Sequence, residues 1–150
     1  PMPSAGPPVP DEPYVVPIGE AAVRTEGGDL TIVGYAPQTV EIAKAVEELK
    51  QEGIRAEFID PRTLAPLEGV METILKSVKK TGRLLTSDDG SYSFSNCTEI
   101  VARVAEALPG TKVKRLAFPD APAPGAPEML SHMRVGAANI VAAAKKLVKD

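Results

Sequence analysis

The residues in this chain best suited to chemistry are Asp88 and Asp89, followed by Gly90. Adjacent carboxylates can ligate magnesium or serve as general acid and base. No third acidic residue stands at a ligand motif's spacing, and Asp-Gly is a common turn pair, so the run reads first as a turn ending a strand. His132 is the sole histidine, in a Met-rich segment between Pro127 and the last helical pattern. A nucleophile-base pair would need a serine or cysteine held against its ring. The chain has no G-x-S-x-G elbow, so His132 reads as a loop or interface residue. Cys97, the only cysteine, falls in the apolar stripe of a helical pattern, which marks a small buried hydrophobe rather than a reactive thiol. Without a second cysteine there is neither an intramolecular disulfide nor a structural zinc site, and a reducing compartment fits. Gly34-Tyr-Ala-Pro-Gln-Thr39 opens a helix and offers amides to an anion, yet it matches neither the G-x-G-x-x-G nor the G-x-x-x-x-G-K-[ST] pattern.

The elements that must position these residues alternate regularly. Leu30 to Tyr35, Ile54 to Phe58, Arg83 to Thr86 and Val113 to Phe118 are apolar or alternating runs of strand length. Between them, Ile42, Val46 and Leu49 share a helical face, as do Val70, Ile74 and Val78, then Cys97, Val101, Val104 and Leu108; Ile140, Ala144 and Leu147 supply a fourth. Gly53 and Gly82 stand where a left-handed cap is cheapest, and Lys79-Lys80 complement the negative end of a helix dipole. Asn96 with Glu99 suggests a capping box, and Pro66 suits a first helical turn. Tyr14 to Arg24 permits a short extended segment, turned by Glu26-Gly-Gly-Asp29. Strands alternating with helices imply a largely parallel sheet covered on both faces, a three-layer α/β/α architecture. Seven prolines within the first 17 residues deny that stretch a helix or central strand. Residues 1–13 are therefore expected to form a linker or tail, as at the edge of a domain within a longer protein, and 14–150 the domain.

A length of 150 residues suits one domain burying roughly 70% of its unfolded surface. With 43% apolar and 25% charged residues, the composition is that of an ordinary globular protein. A net charge of -3 leaves no excess of Lys and Arg for a phosphate backbone, which argues against a nucleic-acid binder. No apolar run approaches the ~20 residues of a bilayer span, and no membrane partner is expected. The compartment expected is the cytoplasm, or the mitochondrial matrix in a eukaryote.

Several segments together carry a family resemblance. Tyr14-Val-Val-Pro-Ile-Gly19, Val23-Arg, Asp29-Leu-Thr-Ile-Val-Gly-Tyr35, Ile59-Asp-Pro-Arg-Thr-Leu-Ala-Pro-Leu67, Ile74 to Leu85 and Phe118-Pro-Asp-Ala-Pro-Ala-Pro124 resemble the transketolase-type C-terminal domain. More narrowly, they are similar to the beta subunit of the dehydrogenase component of 2-oxoacid dehydrogenase complexes. The match runs in order from about Val9 to the end. It implies a mixed five-stranded sheet with one antiparallel edge strand. It also implies a domain that pairs subunits about a two-fold axis, as in a homodimer, and helps dock the lipoyl acyltransferase component. Thiamine diphosphate and magnesium would be held in the parent enzyme by other domains, often with an alpha subunit, and none by this chain. Where many members carry a glycine-rich Gly-Gly-Phe-Gly-Ala-Glu-Ile stretch, this chain reads Tyr92 to Ile100, keeping Phe94 and Glu99-Ile100; the lost glycines restrict positive φ.

The expected residues of interest are interfacial or structural: Asp60, Arg62 and Thr63 in one strand-end loop, and Asp120, Pro122 and Pro124 in the proline-rich loop. Arg62 suits a two-bond hold on a carboxylate or on carbonyls. No catalytic, cofactor-binding or metal-binding residue is expected, and the isolated chain is expected to be inactive. Two other readings stay open. One is a free-standing doubly wound module binding a nucleotide or anion at Gly34 to Thr39. The other is the C-terminal domain of a different transketolase-like enzyme, against which the Asp-Ala-Pro-Ala-Pro loop stands.

Overall fold

The computed structural model describes residues 10–149; most of the proline-rich tail expected at 1–13 lies outside them. Five strands form one sheet: β1 (Ala22–Thr25), β2 (Leu30–Gly34), β3 (Ala56–Asp60), β4 (Arg83–Ser91) and β5 (Lys112–Phe118). Their spatial order is β1-β3-β2-β4-β5. Only the edge strand β1 runs antiparallel, pairing Ala22 with Asp60 and Val23 with Ile59; the other pairings are parallel. The helices are α1 (Gln38–Gln51), α2 (Glu68–Thr81), α3 (Asn96–Ala107), α4 (Pro127–Met133) and α5 (Ala137–Lys149).

The alternation of side chains along each strand decides the layers. Leu30, Ile32, Phe58 and Leu85 point to one face, where Ile42, Val46 and Leu49 of α1 meet Ile140, Ala144 and Leu147 of α5. Val33, Ile59 and Leu84 point to the other, against Val70, Ile74 and Val78 of α2 and Ile100 and Val104 of α3. The expected three-layer α/β/α arrangement is thus present. Thr31 is a polar side chain wholly buried on the α2 side. Its hydroxyl is satisfied by Ser77 at 2.7 Å and Thr81 at 2.8 Å, as a buried polar group requires.

Some local expectations need correction. Helix α2 starts at Glu68 with Leu67 at its N-cap, so Pro66 lies before the helix. It is exposed, while burial of Leu67 in the core fixes where the helix begins. The N-cap of α3 is Ser95, with no side-chain capping bond. Asn96 already lies inside the helix and donates to the Tyr35 hydroxyl, while Glu99 accepts from Arg103 at 2.7 Å, so no capping box forms. Strand β4 continues through Asp88-Asp89-Gly90 to Ser91, which pairs with Phe118 after a register shift; the acidic pair does not end it. His132 lies on the short helix α4 rather than in a loop.

Candidate functional site

In an open α/β sheet, ligands settle beyond the strands' carboxyl ends where the strand order reverses. Here that point lies between β2 and β4, and the chain's own side chains occupy it. Gln38, at the start of α1, is buried. It accepts from the Ser87 hydroxyl at 2.7 Å and donates to the carbonyl of Val135 at 3.3 Å. Beside it, the Tyr35 hydroxyl donates to the Asp88 carboxylate at 2.8 Å and accepts from the Asn96 amide at 3.2 Å. The other Asp88 oxygen accepts the Gly90 N–H at 2.9 Å. Burial, reinforced by the neighbouring Asp88 charge, pushes the Tyr35 phenol above the ordinary tyrosine range.

The turn at Gly34 to Thr39 is closed to anions by its own bonding. Ala36 takes a left-handed φ of 51°, and Gln38, Thr39 and Val40 donate their N–H groups to the carbonyls of Tyr35, Ala36 and Pro37. The first amides of α1 are thereby used within the turn. Asp88 and Asp89 gain no third ligand: among the described residues no group of three or more His, Cys, Asp or Glu side chains gathers as a metal site. Cys97 is buried, and burial first, then the Asp88 charge, pushes its thiol well above the usual range, away from the reactive thiolate. His132 is exposed on α4.

The structure draws Asp60, Arg62 and Thr63 together at the end of β3. Asp60, almost fully buried, accepts two bonds from the Arg24 guanidinium, the shorter 2.8 Å, and the backbone N–H of Arg62 at 3.1 Å. Thr63 accepts the Gly19 N–H at 2.9 Å, tying in the segment that leads to β1. Arg62 sits at a left-handed φ of 57°, and its exposed side chain makes no hydrogen bond or ion pair with the described residues. The bond tying Arg62 to Asp60 therefore comes from its backbone, not its guanidinium.

The proline-rich loop, with Pro122 exposed and Pro124 half-buried, is fastened through Asp120. Its carboxylate accepts from the Ser93 N–H at 2.9 Å and hydroxyl at 2.7 Å. Those bonds hold its pKa below the usual carboxylate range. Arg115 stacks 4.1 Å over the Tyr92 ring and donates to the Tyr92 carbonyl and Thr98 hydroxyl. Between Tyr92 and Ile100 the left-handed residue is Phe94, at φ 59°. The sequence marked Tyr35 and Gln38 only within the Gly34 to Thr39 turn, Asn96 only as a cap and Ser87 not at all, because their partners lie up to 97 residues away.

Comparison with known proteins accords with this geometry. Residues 19–140 match the model of the transketolase C-terminal domain. The chain is 38% identical over 144 residues to the acetoin:2,6-dichlorophenolindophenol oxidoreductase subunit beta of Cupriavidus necator, covering 94% of this chain and 42% of that protein. It is 37% identical to the mitochondrial pyruvate dehydrogenase E1 component subunit beta of Dictyostelium discoideum (93% and 39% covered) and 35% to the 2-oxoisovalerate dehydrogenase subunit beta of Bacillus subtilis (94% and 44% covered). It thus spans about two fifths of the length of these relatives. Among solved structures, a split-gene transketolase described as an inactive beta4 tetramer superposes with a TM-score of 0.77 at 27% identity, over 87% of this chain and 43% of that one. With the family model matched over residues 19–140 and the superposition running over 87% of its length, the chain belongs to the transketolase C-terminal domain family.

Proposed function

We propose that this chain is the C-terminal assembly domain of a thiamine-diphosphate-dependent 2-oxoacid dehydrogenase beta subunit. The parent enzyme decarboxylates a 2-oxoacid oxidatively and passes the acyl group to a lipoyl carrier. This domain contributes subunit pairing, as a homodimer, and a docking surface for the acyltransferase component, while an alpha subunit completes the enzyme. The compartment is the cytoplasm or the mitochondrial matrix. The observation that carries this reading is the filled switch point. The crevice where a doubly wound domain takes its ligand holds two bonded sets of side chains, Gln38 with Ser87 and the Val135 carbonyl, and Tyr35 with Asp88 and Asn96.

The described residues do not fit thiamine diphosphate or its magnesium. No acidic cluster forms, and the α1 amides that face a phosphate in nucleotide folds are already bonded. The same bonding weighs against a free-standing nucleotide module. Asp60, Arg62 and Thr63, with Asp120, Pro122 and Pro124, act as interface and support residues in this reading. The test is to supply the full chain with thiamine diphosphate, magnesium and a panel of 2-oxoacids. The expected result is no turnover, no calorimetric signal for the cofactor or for nucleotides, and self-association in sedimentation. Turnover by the chain alone, or tight nucleotide binding by a monomer, would overturn the reading.

A further inference from the structure

At the carboxyl edge of the sheet a knob stands beside a hole. The knob is Phe94, fully exposed and held at a left-handed φ of 59°. A bulky residue persists in that backbone region only where its surroundings impose it. They do so from both sides: Ser93 is bonded twice to Asp120, and Arg115 grips the Tyr92 ring and carbonyl before Phe94 and the Thr98 hydroxyl after it. The ring is presented to solvent on a loop with little freedom left to lose, the condition under which an aromatic anchor binds best.

The hole is a cavity of about 320 Å³ whose apolar wall comes from Phe118, Ala121, Ala123 and Leu130, with Asp89 and Arg134 charged at its lining. Neither charge has an ion-pair partner within 4 Å among the described residues. Knob and hole adjoin, since Asp120, which clasps Ser93, is followed directly by Ala121.

We infer that Phe94 of one copy of this chain fills the Phe118-Ala121-Ala123-Leu130 hole of a second copy, and the reverse, in a two-fold dimer. A knob and a hole side by side on one face are always exchanged by a two-fold axis lying in the interface midway between them. Paired about that axis, the contact is isologous and closes at two copies, whereas any other operator would string copies into a ring or an open array. Charges of both signs at the hole suit a surface that meets itself, since a copy brings no patch of a single sign. This inference rests on the assembly reading above and names the residues that carry it.

Sedimentation of the full chain and two variants tests it. Phe94→Ala removes the knob and Ala123→Leu fills the hole; both positions are exposed, so folding should survive. Each is expected to weaken self-association about tenfold or more. Mixing the two should restore part of it, because one knob and one hole then remain intact. A Phe94→Cys, Leu130→Cys double variant should yield a disulfide between chains. If the parent chain dimerises and neither substitution changes its dissociation constant, the knob-and-hole contact is wrong while the assembly reading stands. A parent chain that stays monomeric overturns both, and one that grows into open polymers overturns the two-fold contact.

Discussion

Ser93 gives both its hydrogens to one carboxylate, its N–H to Asp120 at 2.9 Å and its hydroxyl to the same side chain at 2.7 Å. This pair joins the loop after β4 to the proline-rich loop after β5. Asp120→Ala is expected to speed amide exchange at Ser93 and to expose the 119–126 loop to proteases, with little change in thermal midpoint because the pair lies at the surface. These bonds hold the native Asp120 pKa below its unfolded value. The clasp therefore persists in mild acid and opens only as pH falls through that depressed value. A pH titration of the Ser93 amide resonance checks this; an inflection at or above the ordinary aspartate pKa would contradict it.

Glu57 lies almost buried on β3 and is paired with Lys80 of α2, with the Gly27 N–H as a further donor at 3.2 Å. Burial opposes its ionisation, but Lys80, Ser77 and the Gly27 amide outweigh it and hold the carboxyl below the usual glutamate range. Ionised Glu57 thus adds stability above the unfolded glutamate pKa, and that stability is lost as pH drops through the lower native value. Lys80→Met is expected to cost about 1–2 kcal/mol near neutrality, the low side for breaking a buried pair because Lys80 is half exposed. It should also flatten the acid limb of the stability curve. Urea unfolding across pH measures both.

The buried Gln38 bridges Ser87 and Val135. Gln38→Ala leaves a hydroxyl and a carbonyl without their partner among buried residues, and about 2–3 kcal/mol should be lost. The same substitution tests whether the filled switch point is what keeps ligands out. Calorimetry with nucleotides should stay silent in the variant, because the α1 amides remain bonded within their own turn. Nucleotide binding gained by Gln38→Ala would mean the side chain alone was the barrier.

The layers were legible in the sequence because burial writes itself as periodicity: the Ile42, Val70 and Ile140 stripes and the strand runs all meet the core. Boundaries set by partners were not. β3 begins at Ala56 rather than Ile54, where the Asp29 carboxylate takes the Arg55 N–H into a turn, and it extends to Asp60 because β1 pairs there. Likewise β4 runs on to Ser91 because Phe118 pairs with it. Helix α4 buries none of its seven residues, so it left no apolar stripe to read. For the candidate site, the sequence marked Asp60, Arg62, Thr63 and Asp120 through resemblance. It marked Tyr35 and Gln38 only within the Gly34 to Thr39 turn and Ser93 only within the Tyr92 to Ile100 stretch, and gave none of the bonds they make, whose partners fold next to them from distant segments.

Arg62 combines a strained backbone with a side chain that has no partner among the described residues. Asp60 and Thr63 impose the strain: Asp60 accepts the Arg62 N–H, and Thr63 is pinned by Gly19 and by its own N–H to the Pro61 carbonyl. A side chain that serves only its own fold gains nothing from this position, since glycine adopts φ 57° without the Cβ penalty. Arg62→Gly should therefore leave the stability of the single chain unchanged or raise it by up to about 1 kcal/mol. If the guanidinium grips a carboxylate or carbonyls of a neighbouring subunit, the same change should weaken association several-fold. Arg62→Lys should weaken it too, because an ammonium cannot reproduce the two parallel bonds. Chemical unfolding of the dilute chain, set beside sedimentation at high concentration, separates the two effects. A lysine variant that assembles like the parent would leave Arg62 without an interfacial role.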